Sequence, residues 1–218
     1  MKKIIVLNHK MNLLYDEVLE YIVKLNNIDT DNDIIVCPSS IYLESFINYC
    51  NWGVGSQEMH YELSGDFTGE ISSLQLKSMG VEYVIIDEKD NDIANKKVIA
   101  ALESNIIPII YLNDNDNSAE ELYNTFKTVT KKVEGYEFII LAYHNNKELN
   151  LTDVEEKIQQ LKNMIKVDSS KDITIIYSGD INKDNVNKIL SVKEVEGVIL
   201  GSISSSINEV ENIVNVID

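Results

Sequence analysis

The chain has 218 residues, of which 44% are hydrophobic; this is enough for one sizeable core but too little for two comfortable enzyme domains. It carries 36 acidic residues against 19 lysines and no arginine, so its net charge is −17 at pH 7. Such a charge disfavours nucleic acid and anionic membranes as partners, and without arginine no guanidinium is available for bidentate capture of a phosphate. We therefore expect a single domain over residues 1–218 that binds neither.

The apolar runs and the two cysteines indicate the cellular compartment in which the protein is expected. No apolar run approaches the roughly 20 residues that cross a membrane, and the run after Lys3 is too short for the core of a signal peptide. Cys37 and Cys50 have no metal-ligand spacing around them, and we interpret both as core residues. These features predict a cytoplasmic protein.

One pattern repeats along the chain: an apolar run followed by a longer segment with apolar residues spaced three to four apart. The first run is rich in β-branched residues, which predicts a strand buried on both faces, and it ends abruptly at Asn8. In chain order the predicted strands are 3–7, 33–37, 53–57, 82–86, 107–112, 137–142, 172–177 and 196–200. Eight such strand-helix units without a break in composition favour a closed (β/α)8 barrel over an open sheet.

Helix starts agree with this division. The residues placed to cap a predicted helix are Ser40, Ser72, Ser118, Thr152 and Ser206. Thr152 and Glu155 together form a capping-box pattern, in which each side chain accepts a hydrogen bond from the other residue's backbone.

The end of the first strand supplies the first candidate for function. In a parallel barrel the carboxyl ends of the strands carry the chemistry, so Lys10, just beyond Asn8, is a candidate for contact with a substrate or anion. The alternative is a solvated lysine in a strand-to-helix loop.

Six segments, in register with the eightfold pattern, resemble one known family. They are Asn8-His9-Lys10-Met11-Asn12, Ser56-Gln57 followed by 65–72, Gly80 to Ile86, Ile140-Leu141-Ala142-Tyr143, residues 177–185 from Tyr177-Ser178-Gly179 onward, and Val198 to Ser202. In chain order these resemble segments of triosephosphate isomerase over nearly its whole length. The resemblance implies the (β/α)8 TIM barrel, an aldose-ketose isomerisation in glycolysis, and no cofactor.

The same resemblance places unexpected residues at the catalytic positions. Lys10 and Asn8 match family positions, but His144 stands where the family has its glutamate base. Glu88 stands where the family has a neutral histidine that polarises the substrate carbonyl. Both catalytic residues are thus replaced, each by the residue type of the other. With His144 as base, Glu88 would have to be protonated near pH 7, which costs roughly 4 kcal/mol for a pKa shift of about 3 units.

The phosphate site and the closing lid also differ from the family pattern. Gly201 persists and Ser202 stands for a second glycine, whereas Asp180 occupies the position of a phosphate-binding serine. A carboxylate about 4 Å from a phosphate oxygen costs on the order of 4 kcal/mol. The expected lid, 145–151, is shorter than in the family and lacks its signature sequences.

The third loop keeps the family's length and residues. In the family this loop inserts into a partner subunit, so Phe67, Thr68, Gly69 and Glu70 imply a homodimer. The alternative is that Thr68 and Gly69 serve only the turn. His60 is expected to be an exposed loop residue.

Three hypotheses for function follow. The first is a catalytically degenerate homologue with a regulatory or structural role. The second is an enzyme of different specificity that uses Lys10, His144, Glu88 and Asp180 on a substrate without phosphate. The third is a residual isomerase. Asp87, Glu88, His144 and Asp180 would meet at the barrel mouth and offer oxygen and imidazole ligands, but no spacing motif supports a metal, and we predict none.

Overall fold

Eight parallel strands close into a barrel in the computed structural model, which describes residues 2–133, 135–145 and 147–217. The strands are β1 (Ile4–Asn8), β2 (Asp33–Cys37), β3 (Gly53–Ser56), β4 (Tyr83–Ile86), β5 (Ile107–Asn113), β6 (Ile140–His144), β7 (Thr174–Ser178) and β8 (Gly197–Leu200). Each pairs with the next in sequence, and β8 pairs with β1. The predicted (β/α)8 barrel is confirmed.

Eight helices lie outside the barrel. They are α1 (Tyr15–Asn26), α2 (Leu43–Tyr49), α3 (Ser73–Met79), α4 (Asn91–Glu103), α5 (Ala119–Val129), α6 (Leu151–Ser169), α7 (Val186–Leu190) and α8 (Ile207–Ile217). Short 3-10 helices occur at Ser40–Tyr42, Tyr136–Phe138 and Ser202–Ser205. No helix in the described part of the chain is both long and apolar enough to cross a membrane.

Two of the predicted boundaries that differ from the structure have a clear local cause. The sixth strand begins at Ile140 rather than at 137, because residues 136–138 form a 3-10 helix that leaves Phe138 exposed at the surface. The cap of α6 is Asn150, whose side chain accepts a hydrogen bond from the Asp153 amide, so Thr152 lies inside the helix. The helix is therefore capped by Asn150 and not by Thr152, the residue that the capping-box pattern predicted.

The other predicted caps have mixed outcomes. Ser72 and Ser118 cap α3 and α5, each in a reciprocal capping box with the residue three positions later. Ser40 is the first residue of a 3-10 helix instead of a cap, and Ser206 immediately precedes α8. Local hydrogen bonding therefore fixes several of the helix starts.

Alternation along the strands divides the apolar residues into two cores. One set fills the barrel interior: Val6, Ile35, Cys37, Ile85, Ile109, Ile140, Ala142, Ile176 and Ile199. The larger set lies between the strands and the helices. Cys37 is a core residue as expected, fully buried with its pKa raised to about 12 by burial, whereas Cys50 is half-buried.

His9 lies in the layer between strands and helices. Its ring packs edge-on against Tyr21 of α1 and Phe46 of α2, with ring centroids 4.7 and 5.5 Å away. The side chain is only 1% exposed, and neither ring nitrogen has a hydrogen-bond partner among the described residues. Burial lowers the pKa of His9 to about 3, so the ring is neutral in the folded protein.

Candidate functional site at the carboxyl end of the barrel

Several polar side chains lie at the carboxyl end of the barrel, each two residues beyond an apolar residue of the interior; among them are Asn8, Tyr111, His144 and Ser178. Nδ1 of His144 is 2.9 Å from Oγ of Ser178, its register partner on β7. The hydroxyl of Tyr111 is hydrogen-bonded to the side chains of Asn8 and Ser178, and burial raises its pKa to about 12. Strand alternation thus joins Asn8 and His144, two of the predicted site residues, through Tyr111 and Ser178.

The sequence analysis did not identify Tyr111 or Ser178 as site residues. Tyr111 lies within the apolar fifth strand, and Ser178 was noted only as part of the seventh-loop resemblance. The available signal was alternation: both residues are two positions beyond an inward-facing isoleucine, at Ile109 and Ile176. Counting inward positions on every strand would have found them.

Lys10 lies in the loop after β1, beside the loop that follows the neighbouring strand β8. Its backbone has a φ of 53°, in the left-handed region, and its carbonyl accepts a hydrogen bond of 3.0 Å from the Gln57 side chain. A Cβ placed on Gly201 would lie 3.8 Å from Nζ of Lys10, so the ammonium group is close to the loop after β8. The structure therefore places the candidate lysine beside one residue of the predicted phosphate loop.

Glu88 belongs to a different cluster. Oε2 of Glu88 is 3.2 Å from Nζ of Lys97 on α4, and Oε1 accepts hydrogen bonds from the amides of Lys89 and Asp90. Lys97 is 7% exposed and also binds Glu58 at 2.5 Å. The hydrogen bond from Lys97 holds the pKa of Glu88 below its usual value, so Glu88 is an ionised acceptor.

The predicted phosphate-loop residues are exposed or half-buried at the ends of β7 and β8. Asp180 is exposed, and its carbonyl accepts a hydrogen bond of 2.8 Å from the Asn185 side chain. The Gly201 carbonyl accepts from the Ser204 amide and hydroxyl, at 2.9 and 2.7 Å, and Ser202 begins the 3-10 helix that follows. These bonds fix the backbone of both loops.

The connection from β6 to α6 is short and tied to its neighbours. Six residues, 145–150, join the two elements, one fewer than expected because α6 begins at Leu151. The Asn145 amide donates to the Ser178 carbonyl at 2.9 Å, and Lys147 forms an ion pair with Asp116 of the loop after β5. Asn146 lies outside the described residues.

The third loop is exposed along 62–70, which includes the proposed dimer residues Phe67, Thr68, Gly69 and Glu70. Gly69 has a φ of +87°, a backbone conformation that favours glycine, so turn geometry accounts for this residue. The expectation that His60 is exposed was wrong: the ring is half-buried, 4.4 Å from the rings of both Tyr61 and Phe67.

Within residues 2–133, 135–145 and 147–217, no three histidine, cysteine, aspartate or glutamate side chains come close enough to hold a metal ion.

Comparison with known proteins shows to which family this chain is related. The family model described as triosephosphate isomerase matches residues 3–217. Among similar proteins, the triosephosphate isomerase of Wolbachia pipientis wMel is 32% identical and that of Wigglesworthia glossinidia brevipalpis 30% identical. The aligned regions cover 94% and 100% of this chain, and 89% and 97% of those proteins. The triosephosphate isomerase of Alkaliphilus oremlandii is 27% identical, covering 98% of this chain and 99% of its own. With the match to the family model reaching from the first strand to the last helix, this chain belongs to the triosephosphate isomerase family.

Proposed function

We propose that this chain is a non-catalytic member of the triosephosphate isomerase family, with a regulatory or structural role. One observation carries the proposal: the Glu88 carboxylate, which the family resemblance aligns with the catalytic histidine, is bound to Lys97. An ionised carboxylate held by a lysine cannot donate a hydrogen bond to a developing oxyanion. The electrophile of the isomerisation is therefore missing.

The replacement at position 144 supports the same proposal. An imidazole stands here in place of the carboxylate base of the family, and its Nδ1 lies 2.9 Å from the Ser178 hydroxyl. General-base catalysis contributes roughly 10²–10⁴ to a rate and an oxyanion donor roughly 10²–10³. Loss of both leaves a rate several orders of magnitude below that of an ordinary isomerase, even after allowing for non-additivity.

The phosphate and lid regions agree with the proposal. The family resemblance places an aspartate at position 180, which opposes an anionic substrate, and gives the chain a shorter loop after β6 than the closing lid of the family.

A coupled assay with glyceraldehyde 3-phosphate tests the proposal directly. We expect turnover below about 10⁻³ of that of an ordinary isomerase, measured at a sensitivity of about 10⁻⁴. Turnover within about tenfold of an ordinary isomerase would refute the proposal. Lys10→Ala and His144→Ala are matched controls, because weak activity that neither variant changes comes from contaminating host isomerase.

An enzyme of different specificity is the second candidate. The observations that favour it are the exposed Lys10 beside Gly201 and the hydrogen-bonded pair of His144 and Ser178 at the same end of the barrel. A thermal-shift screen with metals, sugar phosphates, amines and anions addresses it. Stabilisation that His144→Ala or Lys10→Ala abolishes would favour this candidate, whereas no stabilisation by any compound favours the non-catalytic role.

We further propose a single-domain, cytoplasmic homodimer that pairs through the third loop. The exposure of Phe67, Thr68, Gly69 and Glu70 supports the dimer, because side chains that reach solvent are available to contact a second chain. The net charge of −17 supports a protein that binds neither nucleic acid nor membrane.

A further inference from the structure

Helix α1 has an exposed apolar stripe beside its buried face. The buried face, formed by Val18, Tyr21, Ile22 and Leu25, packs against the barrel. The adjoining stripe carries Tyr15, Leu19 and Val23, which are 81%, 56% and 61% exposed. Their spacing of four residues aligns them in one stripe, about 12 Å long at 1.5 Å per residue. Isolated exposed apolar residues are normal on a protein surface, but an aligned stripe of three indicates a contact surface.

A groove adjoins this stripe. It has a volume of about 370 Å³ and lies between α1 and α2, with Tyr15, Val18 and Leu19 on one side and Ser45, Asn48 and Tyr49 on the other. Tyr49 is 62% exposed, and the Asn26 side chain donates a 2.7 Å hydrogen bond to its carbonyl, which ties the carboxyl ends of the two helices together. The stripe and the groove thus form one continuous surface on a rigid pair of helices.

The rim of the groove is acidic. Asp16 and Glu44 line it at the amino ends of α1 and α2, and Glu20 is exposed beside Leu19. Glu20 is paired with Lys24 at 2.7 Å, whereas Asp16 and Glu44 take part in none of the ion pairs found among the described residues. The groove therefore offers an apolar floor and unneutralised negative charge.

We propose that the α1–α2 groove is a docking site for a lysine- or arginine-rich amphipathic helix of another protein. Apolar residues three to four apart on such a helix would contact Leu19, Val23 and Tyr49, and a basic residue would pair with Asp16 or Glu44. A second copy of this chain fits this groove less well, because it would bring the same acidic rim against Asp16 and Glu44. The proposal concerns the outside of the barrel and does not depend on the state of its mouth.

The test uses a fluorescent synthetic peptide of about 14 residues, composed of leucine and lysine arranged as an amphipathic helix, and the full-length protein. Fluorescence anisotropy should show saturable binding that weakens at about 0.5 M salt. A scrambled peptide of the same composition, without an apolar face, should bind at least about tenfold more weakly. Hydrogen exchange should show protection by the peptide confined to α1 and α2.

Variants separate this site from general attraction to an acidic protein. Leu19→Gln combined with Val23→Gln keeps the charge and should weaken binding by about tenfold or more. Val167→Gln on α6 removes an even more exposed apolar residue elsewhere and should leave binding unchanged. Asp16→Asn with Glu44→Gln should reduce the salt dependence.

Two outcomes would overturn the proposal. One is equal binding of the peptide by the wild type and the Leu19→Gln/Val23→Gln variant, which would show attraction to net charge alone. The other is a change in oligomeric mass of that variant, with no peptide bound by the wild type, which would show that a second copy covers the stripe. A circular dichroism spectrum and melting temperature matching the wild type confirm that the variant is folded.

Discussion

Single residues in this barrel show how burial and pairing set protonation. His9 and Glu88 are the clearest cases, because the pKa of each is lowered in the folded protein and each therefore makes the fold less stable in acid. Burial without a hydrogen-bond partner keeps His9 neutral, whereas Lys97 keeps Glu88 charged. Each shift predicts a measurable change in the free energy of unfolding.

Acid should destabilise the protein through His9. The unfolded chain takes up a proton near the usual pKa of 6.5, while the folded chain does not until about pH 3, so stability falls as pH falls below 6.5. In His9→Phe, which keeps an aromatic ring against Tyr21 and Phe46, this loss is absent. We expect the variant to gain roughly 1–2 kcal/mol over the wild type between pH 7 and pH 5, measured by urea unfolding. Parallel stability curves for the two proteins would contradict this account of His9.

Lys97 should be important for stability because it neutralises two carboxylates. Lys97→Met leaves Glu58 and Glu88 without their partner, and we expect a loss of about 1–2 kcal/mol at pH 7. The folded-state pKa of Glu88 is lowered, so its contribution is present above the usual value of 4.5 and is lost as pH falls through the folded value. The difference between wild type and variant should therefore shrink in acid. Lys89→Met, at an exposed lysine in the same loop, is the control and should change stability little.

At the scale of elements, helix starts are decided by which polar side chain reaches the free amides. In α5 the Ser118 hydroxyl accepts from the Glu121 amide, and Glu121 accepts in return from the Ser118 amide. In α6 the Asn150 side chain takes that role, and the capping-box pattern of Thr152 and Glu155 is not used. The two helices follow the same rule with different residues.

Substitution of the α6 cap distinguishes the two possible starts. Asn150→Ala removes the hydrogen bond to the Asp153 amide and should cost about 1 kcal/mol, whereas Thr152→Ala, inside the first turn, should cost less. Thermal or urea unfolding of both variants measures the difference. If Thr152→Ala proves the more costly, the helix begins two residues later than described.

At the scale of the whole molecule, the exposed third loop bears on how two chains would pair. The third loop projects an exposed segment, 62–70, that includes Phe67 at 48% exposure. The loop has no role in the barrel's own core, which fits a role in pairing two chains. This surface is distinct in sequence from the α1–α2 groove.

Mass measurement in solution tests the dimer. We expect about twice the 24.7 kDa of the chain by light scattering at micromolar concentration. Phe67→Glu should shift the mass toward one chain, because the substitution places a charge where an apolar contact is proposed, and Val167→Gln on α6 should leave the mass unchanged. A wild-type protein of 24.7 kDa would remove the third loop from the proposal.

The sequence by itself determined the fold and the positions of most strands. Apolar runs bounded by polar residues repeat eight times, and a strand buried on both faces has few alternatives, so the barrel followed from the pattern. The sequence also placed Asn8, Lys10 and His144 at strand ends, because residue order alone fixes where a strand stops.

Only the tertiary structure decided which polar groups meet. The pairing of Glu88 with Lys97 and the hydrogen bonds linking Tyr111, Ser178 and His144 join residues from different strands and helices. Such contacts depend on the register of the closed barrel and on side-chain direction, which no local pattern encodes. The burial of His9 and the exposed stripe of Tyr15, Leu19 and Val23 were hidden for the same reason: hydrophobic periodicity shows which residues share a face of a helix, but packing determines which face is covered.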